Sequence, residues 1–313
     1  MSDRVEVASV VLNYGRADLA AAAVDSLLAS DLPSSRVLLA DNGSPDAERA
    51  LAEATRRGVP ALLLSDNHGF AGGMNLALEE ANRRWNPEYF FLLNSDARVE
   101  PGTSAELLRA ARDRDAHFVG PKILFDRPGP PRIWSAGGDF RRWRAFNRGE
   151  GEVDTGRFDG SEEVPFLSGC ALLIRREAWE RLGGFDPRFF MYQEDADLCL
   201  RARRSGLRLL YQGTARVHHV GSATAGDPYA DFQSYYRWRN RLLCVGRNTS
   251  GPSRAFFFAA YFPALALRDL LRYAVRRRWS GTKALFDGLA DFLRGARRPR
   301  KPEFGPTGGP ESG

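Results

Sequence analysis

Short apolar runs rich in Val, Leu and Ala alternate, over the first 120 residues, with segments in which apolar side chains recur every three or four positions. Residues 5–12 (VEVASVVL) predict a strand ending at Asn13-Tyr14-Gly15, and residues 18–30 place Leu19, Ala22, Ala23, Ser26 and Leu27 at helical spacing. Residues 37–40 predict a second strand that runs into Asp41-Asn42-Gly43-Ser44, residues 45–57 a helix stopped by Gly58, and residues 61–64 a third strand. A glycine-rich turn at 67–75 (NHGFAGGMN) leads into a helix through Asn82, followed by a strand at 89–93, a helix opened by Pro101 over 103–114, and a fifth strand at 117–119. Strands alternating with helices predict an α/β fold around a largely parallel sheet.

The second half is less regular. Residues 121–163 are rich in Gly, Pro and Arg and predict a hairpin or mobile loop region, after which 164–174 (VPFLSGCALLI) returns to strand-like sequence and 175–182 forms a short helix closed by Gly183-Gly184. Another helix opens at Glu194 and ends at Gly206, and an apolar run at 208–211 precedes His218-His219. Beyond Gly226 the pattern is helical, and the Pro/Gly-rich end after about residue 297 predicts disorder. The expected organisation is therefore an α/β domain over 1–225, with halves 1–120 and 121–225, amphipathic basic helices over 226–296, and a tail over 297–313.

Composition narrows the class. The chain has 313 residues, 43% of them hydrophobic, which suffices for a real core. Cys170, Cys199 and Cys244 lie far apart and form no CxxC, so neither a disulfide framework nor a zinc site is expected, and a reducing cytoplasm fits. The amino terminus lacks the regions of a signal peptide. The apolar run at 256–267 contains Pro263 and falls short of the roughly 20 residues that span a bilayer. Charge is uneven: residues 237–301 carry 16 Lys/Arg against 3 Asp/Glu, interleaved with aromatic residues, while the rest of the chain is net acidic. That end suits an anionic membrane surface or an acidic substrate better than nucleic acid, with a merely solvated helical face as the equal alternative.

Candidate chemistry concentrates at two places. Residues 189–206 (FFMYQEDADLCLRARRSG) carry Glu194, Asp195 and Asp197 at the start of a helix, and residues 90–96 (FFLLNSD) put Asp96 just after a strand, where open α/β sheets present ligand-binding groups. Residues two apart on a helix diverge, so Asp195 and Asp197 cannot share one cleft; one is expected to be catalytic and the other structural. A carboxylate there would deprotonate a hydroxyl, although the helix dipole favours acids at that place whatever the function. Asp96 offers a hard oxygen ligand suited to Mg²⁺ or Mn²⁺, with turn capping as the alternative. Gly69, Gly72 and Gly73 permit close backbone approach to a phosphate, or serve packing alone. Asp41 suits either an imide N–H of a pyrimidine or an Asx turn. No GxGxxG or GxxxxGK[ST] is present, which argues against a dinucleotide oxidoreductase and a Walker loop.

The order of these motifs resembles the inverting family 2 glycosyltransferases of GT-A fold, in particular their rhamnosyltransferase-like, non-processive group. The resemblance runs from about residue 5 to 243 through Asn13-Tyr14, DNGS, NHGFAGGMN, LLNSD, SGCALLIRRE, GGFDPRFFMYQEDADLCLRA, HHVGSA and YYRWRNR. It implies a GT-A domain with a mixed, mostly parallel sheet, a helical extension, and a single displacement that moves one sugar from a dTDP- or UDP-sugar to a glycan or lipid-linked glycan hydroxyl. It implies Asp195 as general base, Asp96 with His218 rather than His219 on the metal, and Asp41 on the pyrimidine. The donor-binding set it implies is Asn13, Asp41, Asn42, Asn67, Gly69, Gly72, Asn75, Asn94, Arg239 and Asn240; Trp134, Gly169, Cys170 and Glu194 would border the acceptor. Asn94 holds the first position of a degenerate DxD motif. Processive relatives use QxxRW, whereas Gln233 here is one residue too far from Arg237-Trp238. Rhamnosyl transfer from dTDP-rhamnose is the expected activity, with galactofuranosyl, glucosyl or mannosyl transfer, or an inactive nucleotide-sugar-binding protein, as alternatives. The expected location is the cytoplasm or the inner face of the cell membrane.

Overall fold

The computed structural model describes residues 5–30, 35–141, 143–221, 230–277 and 279–295. The first half is built from β1 (Val7–Asn13), α1 (Ala17–Leu28), β2 (Ser35–Asp41), α2 (Ala47–Arg56), β3 (Ala61–Leu63), α3 (Gly69–Trp85), β4 (Tyr89–Asn94), β5 (Ala97–Val99), α4 (Thr103–Asp113) and β6 (Phe118–Phe125). There follow β7 (Ile133–Ser135), β8 (Gly138–Arg141), β9 (Arg144–Asn147), β10 (Ser161–Glu163), β11 (Ala171–Arg175), α5 (Arg176–Leu182), α6 (Glu194–Arg204) and β12 (Leu209–His219). The carboxyl-terminal part is helical: α7 (Ala230–Asn248), α8 (Gly251–Phe256), a π-helical turn (Phe257–Tyr261), α9 (Phe262–Val275) and α10 (Trp279–Leu293).

The main sheet runs in the order β10-β12-β6-β11-β4-β1-β2-β3. β1 is parallel to β2 and β4, and β2 to β3, whereas β11 is antiparallel to both β4 and β6 and so makes the sheet mixed. Each central strand buries both faces because its side chains alternate. Val7, Val11, Leu39, Phe91 and Leu93 pack under α1, α2 and α4; Val10, Leu38, Phe90 and Leu92 pack under α3, α5 and α6. This two-sided burial explains why the strands read as continuous apolar runs.

Several details depart from the sequence pattern. The glycine-rich turn is not a loop before a helix: α3 begins at Gly69, so Gly72 and Gly73 lie in its first turns. The strand expected over 164–174 is Ala171–Arg175, the one expected at 117–119 extends to Phe125, and the run at 208–211 opens a strand that continues to His219. Of the hairpin or loop expected over residues 121–163, the structure shows the hairpin, β8–β9, and adds β7 and β10. The C-terminal helices have an apolar cluster of their own in Trp238, Leu242, Val245, Phe257, Phe262 and Leu285. The tail at 297–313 falls outside the described residues.

Candidate active site

Parallel pairing sets Asn13 beside Asp41 and Leu12 beside Asn94, so β1, β2 and β4 end at one level. A cleft of about 280 Å³ opens there, at the carboxyl edge of an α/β sheet where ligands bind. Asn13, Asn42, Asn67, Gly69, Asn94 and Asp96, all candidates from the sequence, line it. So do Tyr14, Arg16, Phe70, Ser95, Phe190, Met191 and Phe232, which residue-type reasoning passed over. Phe190 and Met191 belong to the aromatic run that flagged the acidic cluster, and that run was the available signal.

Asp41 does not line the cleft. It is fully buried, and its carboxylate accepts hydrogen bonds from Asn13 Nδ2 (2.8 Å), the Ser44 amide (2.8 Å) and Ser44 Oγ (2.7 Å). The Asx-turn alternative describes this geometry, which corrects the expectation of direct base contact; Asp41 orients Asn13, which does face the cleft. Two amides of the glycine turn are already bonded within the protein. The Gly69 amide donates to Asn67 Oδ1 (2.8 Å) and the Ala71 amide to the Phe190 carbonyl (3.1 Å). Gly69 has φ +69°, and a Cβ there would lie 2.4 Å from the Phe190 oxygen, so position 69 requires glycine for two reasons. Gly72 packs beside His68. Asn75 brackets the Phe185 backbone, donating to its carbonyl (2.8 Å) and accepting from its amide (2.9 Å), and neither Gly72 nor Asn75 reaches the cleft.

The histidine assignment changes. β12 pairs antiparallel with β5, setting His219 opposite Ala97 and His218 opposite Arg98. Neighbouring strand residues point to opposite faces, and only His219 shares a face with Asp96: its Nε2 lies 3.1 Å from Asp96 Oδ1. His218 turns away to Glu100, 2.7 Å from Oε1. Burial opposes charge on the His219 ring, but Cys170 and Asp96 beside it outweigh this and raise its pKa to about 10. The Trp134 ring meets His219 edge-on at 4.8 Å, and Cys170 is buried, so both support this histidine. Asp96 offers a divalent cation a hard oxygen in the cleft, whereas His219 would have to give up its Nε2 proton before it could join as a ligand.

The base candidate lies past Phe70. The Gly169 amide donates to Asp195 Oδ2 (3.2 Å) and the Ala196 amide to Oδ1 (2.7 Å). A Cβ at Gly169 would stand 3.4 Å from Asp195 Cβ and 3.5 Å from the Phe70 ring, so this glycine spaces the carboxylate from the cleft wall. The next residue, Cys170, accepts the Asn94 amide through its carbonyl (2.8 Å), which ties this segment to the strand end that leads into Ser95-Asp96. Burial raises the pKa of Asp195 against the lowering effect of its backbone donors. Glu194 is held well above the usual carboxylate range by burial and by the Asp195 charge, and its Oε2 is buried without a hydrogen-bond partner among the described residues. Both carboxyls of the pair are thus held above their usual range, Glu194 the further of the two. Asp197 is structural: wholly buried, it binds Arg201 Nε (2.7 Å) and Asn248 Nδ2 (2.8 Å).

Ahead of α6 the chain is strained. Phe190, Tyr192 and Gln193 all have positive φ, at 63°, 67° and 73°, a region that side chains other than glycine rarely occupy. Asn240 over-determines this conformation. Its Nδ2 reaches the carbonyls of Phe189 (2.7 Å), Met191 (2.7 Å) and Tyr192 (2.9 Å), while Arg239 Nη1 donates to the Arg188 carbonyl (2.7 Å). Both residues are buried, and neither is among those that line the cleft. Their hydrogen bonds hold the backbone from Arg188 to Tyr192, just ahead of α6.

A family profile described as "Glycosyltransferase like family 2" matches residues 4–242. The chain is 31% identical over 278 residues to the N-acetylglucosaminyl-diphospho-decaprenol L-rhamnosyltransferase of Mycobacterium tuberculosis, covering 80% of this chain and 87% of that protein. Among solved structures it resembles the mannosyltransferase PcManGT from Pyrobaculum calidifontis in complex with GDP-Man and Mn²⁺ (TM-score 0.56, 18% identity, 94% of this chain and 88% of that one). It also resembles S. aureus TarS (TM-score 0.58, 15% identity, 93% of this chain and 49% of that one). The mixed sheet, its flanking helices and these likenesses are those of the GT-A fold, and the chain belongs to glycosyltransferase-like family 2.

Proposed function

We propose that the protein is an inverting, non-processive rhamnosyltransferase that moves one sugar from dTDP-rhamnose to a hydroxyl of a lipid-linked glycan at the cytoplasmic face of a membrane. The observation that carries the reaction type is the pairing of two centres: Asp195, with its pKa raised by burial, and the Asp96–His219 pair, joined by the Gly169-Cys170 bridge to Asn94. The name and coverage of the mycobacterial relative support the sugar and the lipid-diphosphate acceptor.

The nucleoside lies against Asn13, Tyr14, Asn42 and Asn67, and the diphosphate toward Asp96. Asp96 and His219 would hold Mg²⁺ or Mn²⁺, which when bound offsets negative charge on the leaving diphosphate. Asp195 accepts the proton of the acceptor hydroxyl as its oxygen bonds to the anomeric carbon and the bond to the diphosphate breaks, inverting that carbon. Two backbone amides hold the Asp195 carboxylate in place for this step. Phe70, Phe190 and Met191 keep water from the anomeric centre.

Incubation with dTDP-rhamnose, Mn²⁺ and an N-acetylglucosaminyl-diphospho-lipid, followed by NMR of the product, tests this. A single added rhamnosyl residue with inverted anomeric configuration is expected. Retention of configuration would remove the single displacement, and transfer only from another nucleotide sugar would remove rhamnose.

A further inference from the structure

From Gly251 to Val275 the chain is one helix: the residues that join α8, the π turn and α9 all keep right-handed helical angles. Pro263 lacks the N–H that would bond to the Ala259 carbonyl, and the widened turn just before it accommodates the missing bond. The helix extends roughly 37 Å at 1.5 Å per residue.

One stripe of this helix is apolar and uncovered. Phe256, Ala260, Ala264, Leu267, Leu271 and Val275 recur at intervals of three or four, and every one is exposed, Val275 by 84%. The opposite face, with Phe257 and Phe262, is buried against Trp238, Leu242 and Val245 of α7. Arg254, Arg268, Arg272 and Arg276 are exposed and run along one flank of the stripe. The helix has a single acid, Asp269, which is mostly buried and paired with Arg268 at 2.8 Å. Trp279, 70% exposed, follows the end of the stripe.

We propose that this face docks on an anionic lipid bilayer, the helix lying in the plane of the interface with its apolar stripe among the acyl chains and its arginines on the headgroup phosphates. Charge complementarity selects this occupant, because four arginines border the stripe against one acid, Asp269, which is shared by Arg268 and Arg272 (2.8 and 3.7 Å), and guanidinium stems reach from apolar surface to headgroups. Among the described residues no helix is long and apolar enough to cross a membrane, which is consistent with a helix that lies on the surface.

The surface is coupled to the site. The Trp143 indole at the tip of the β8–β9 hairpin donates to Ser253 Oγ (3.1 Å), and its ring packs on Phe257 and Tyr261. On the inner side α7 carries Asn240, which fixes the loop before Asp195. Docking therefore sets the height of Asp195 over the bilayer, where a lipid-linked acceptor presents its glycan. This last step rests on the proposed function; the binding itself does not.

Flotation of the full chain with vesicles of phosphatidylcholine alone, or with phosphatidylglycerol, tests binding without any sugar donor. We expect flotation on the anionic vesicles, weakened by salt, and at least a tenfold loss in Leu267→Glu/Leu271→Glu, whose positions are exposed and do not support the core. The same variant should retain transfer to a short-chain, water-soluble acceptor and lose it on vesicle-embedded acceptor. No flotation of the wild type, equal flotation of the variant, or a stripe-dependent dimer in light scattering without vesicle binding would overturn the proposal. Sugar transfer without flotation would separate its failure from that of the enzyme reading.

Discussion

Replacing Asp195 by Asn is expected to remove sugar transfer, by about 10²–10⁴-fold in kcat, while donor binding stays within a factor of about two. Asparagine keeps the size of the side chain, and its one oxygen can still accept from the Ala196 amide, the shorter of the two bonds, at the loss of the acceptor for the Gly169 amide. What disappears is the group that takes the proton. Steady-state kinetics alongside nucleotide titration separates the two effects, and turnover near the wild-type rate would remove Asp195 as the base. The wild-type pH profile carries the same information. Burial raises the Asp195 pKa, so the base is protonated and the rate falls as pH drops through a value above the usual Asp range of about 3.9. An acid limb at or below the ordinary range would contradict the burial argument.

The second large effect is expected at a residue that touches no substrate. Asn240→Ala removes the donor shared by the carbonyls of Phe189, Met191 and Tyr192 in a fully buried position. Buried groups left unsatisfied cost about 1–3 kcal/mol each, and here they also release backbone held at positive φ in Phe190 and Tyr192. We expect a loss of roughly 3 kcal/mol and a fall in melting temperature of roughly 5–10 °C. Transfer should fall with it, because Phe190 and Met191 form part of the cleft wall. A stable variant with normal activity would show that the loop holds its shape without Asn240. The outcome also separates this account from one in which Asn240 binds the diphosphate, since a ligand contact would leave melting of the free protein nearly unchanged.

The alternation of strand and helix was legible because it follows from apolar spacing alone: β1, β2 and β4 bury both faces, and their runs of Val, Leu and Phe say so. Shorter elements were not legible. β5 and β10 have three residues each, too few for a period, and they exist through pairing with β12. The site shows the same division. Asp96 and Asp195 stand out by residue type and position, and Asp197 separates from Asp195 by helical geometry. Choosing between His218 and His219 needed the pairing of β12 with β5, which decides the face that meets Asp96. Asp41, Asn75, Arg239 and Asn240 fall in the family's motifs, yet their partners are backbone groups and neighbouring side chains brought close only by folding. The strain at Phe190, Tyr192 and Gln193 has no sequence signal, because none of the three is the glycine that such angles favour.

The central claim is that the cleft at the ends of β1, β2 and β4 takes a pyrimidine nucleotide together with a divalent cation at Asp96. Calorimetric titration of the purified chain with dTDP, UDP and GDP, each with and without Mn²⁺, tests it most directly when repeated on Asp96→Ala. The account predicts binding of a pyrimidine diphosphate that requires the metal and is weakened at least tenfold by Asp96→Ala. Metal-independent binding, a preference for GDP, or equal binding by Asp96→Ala would contradict it.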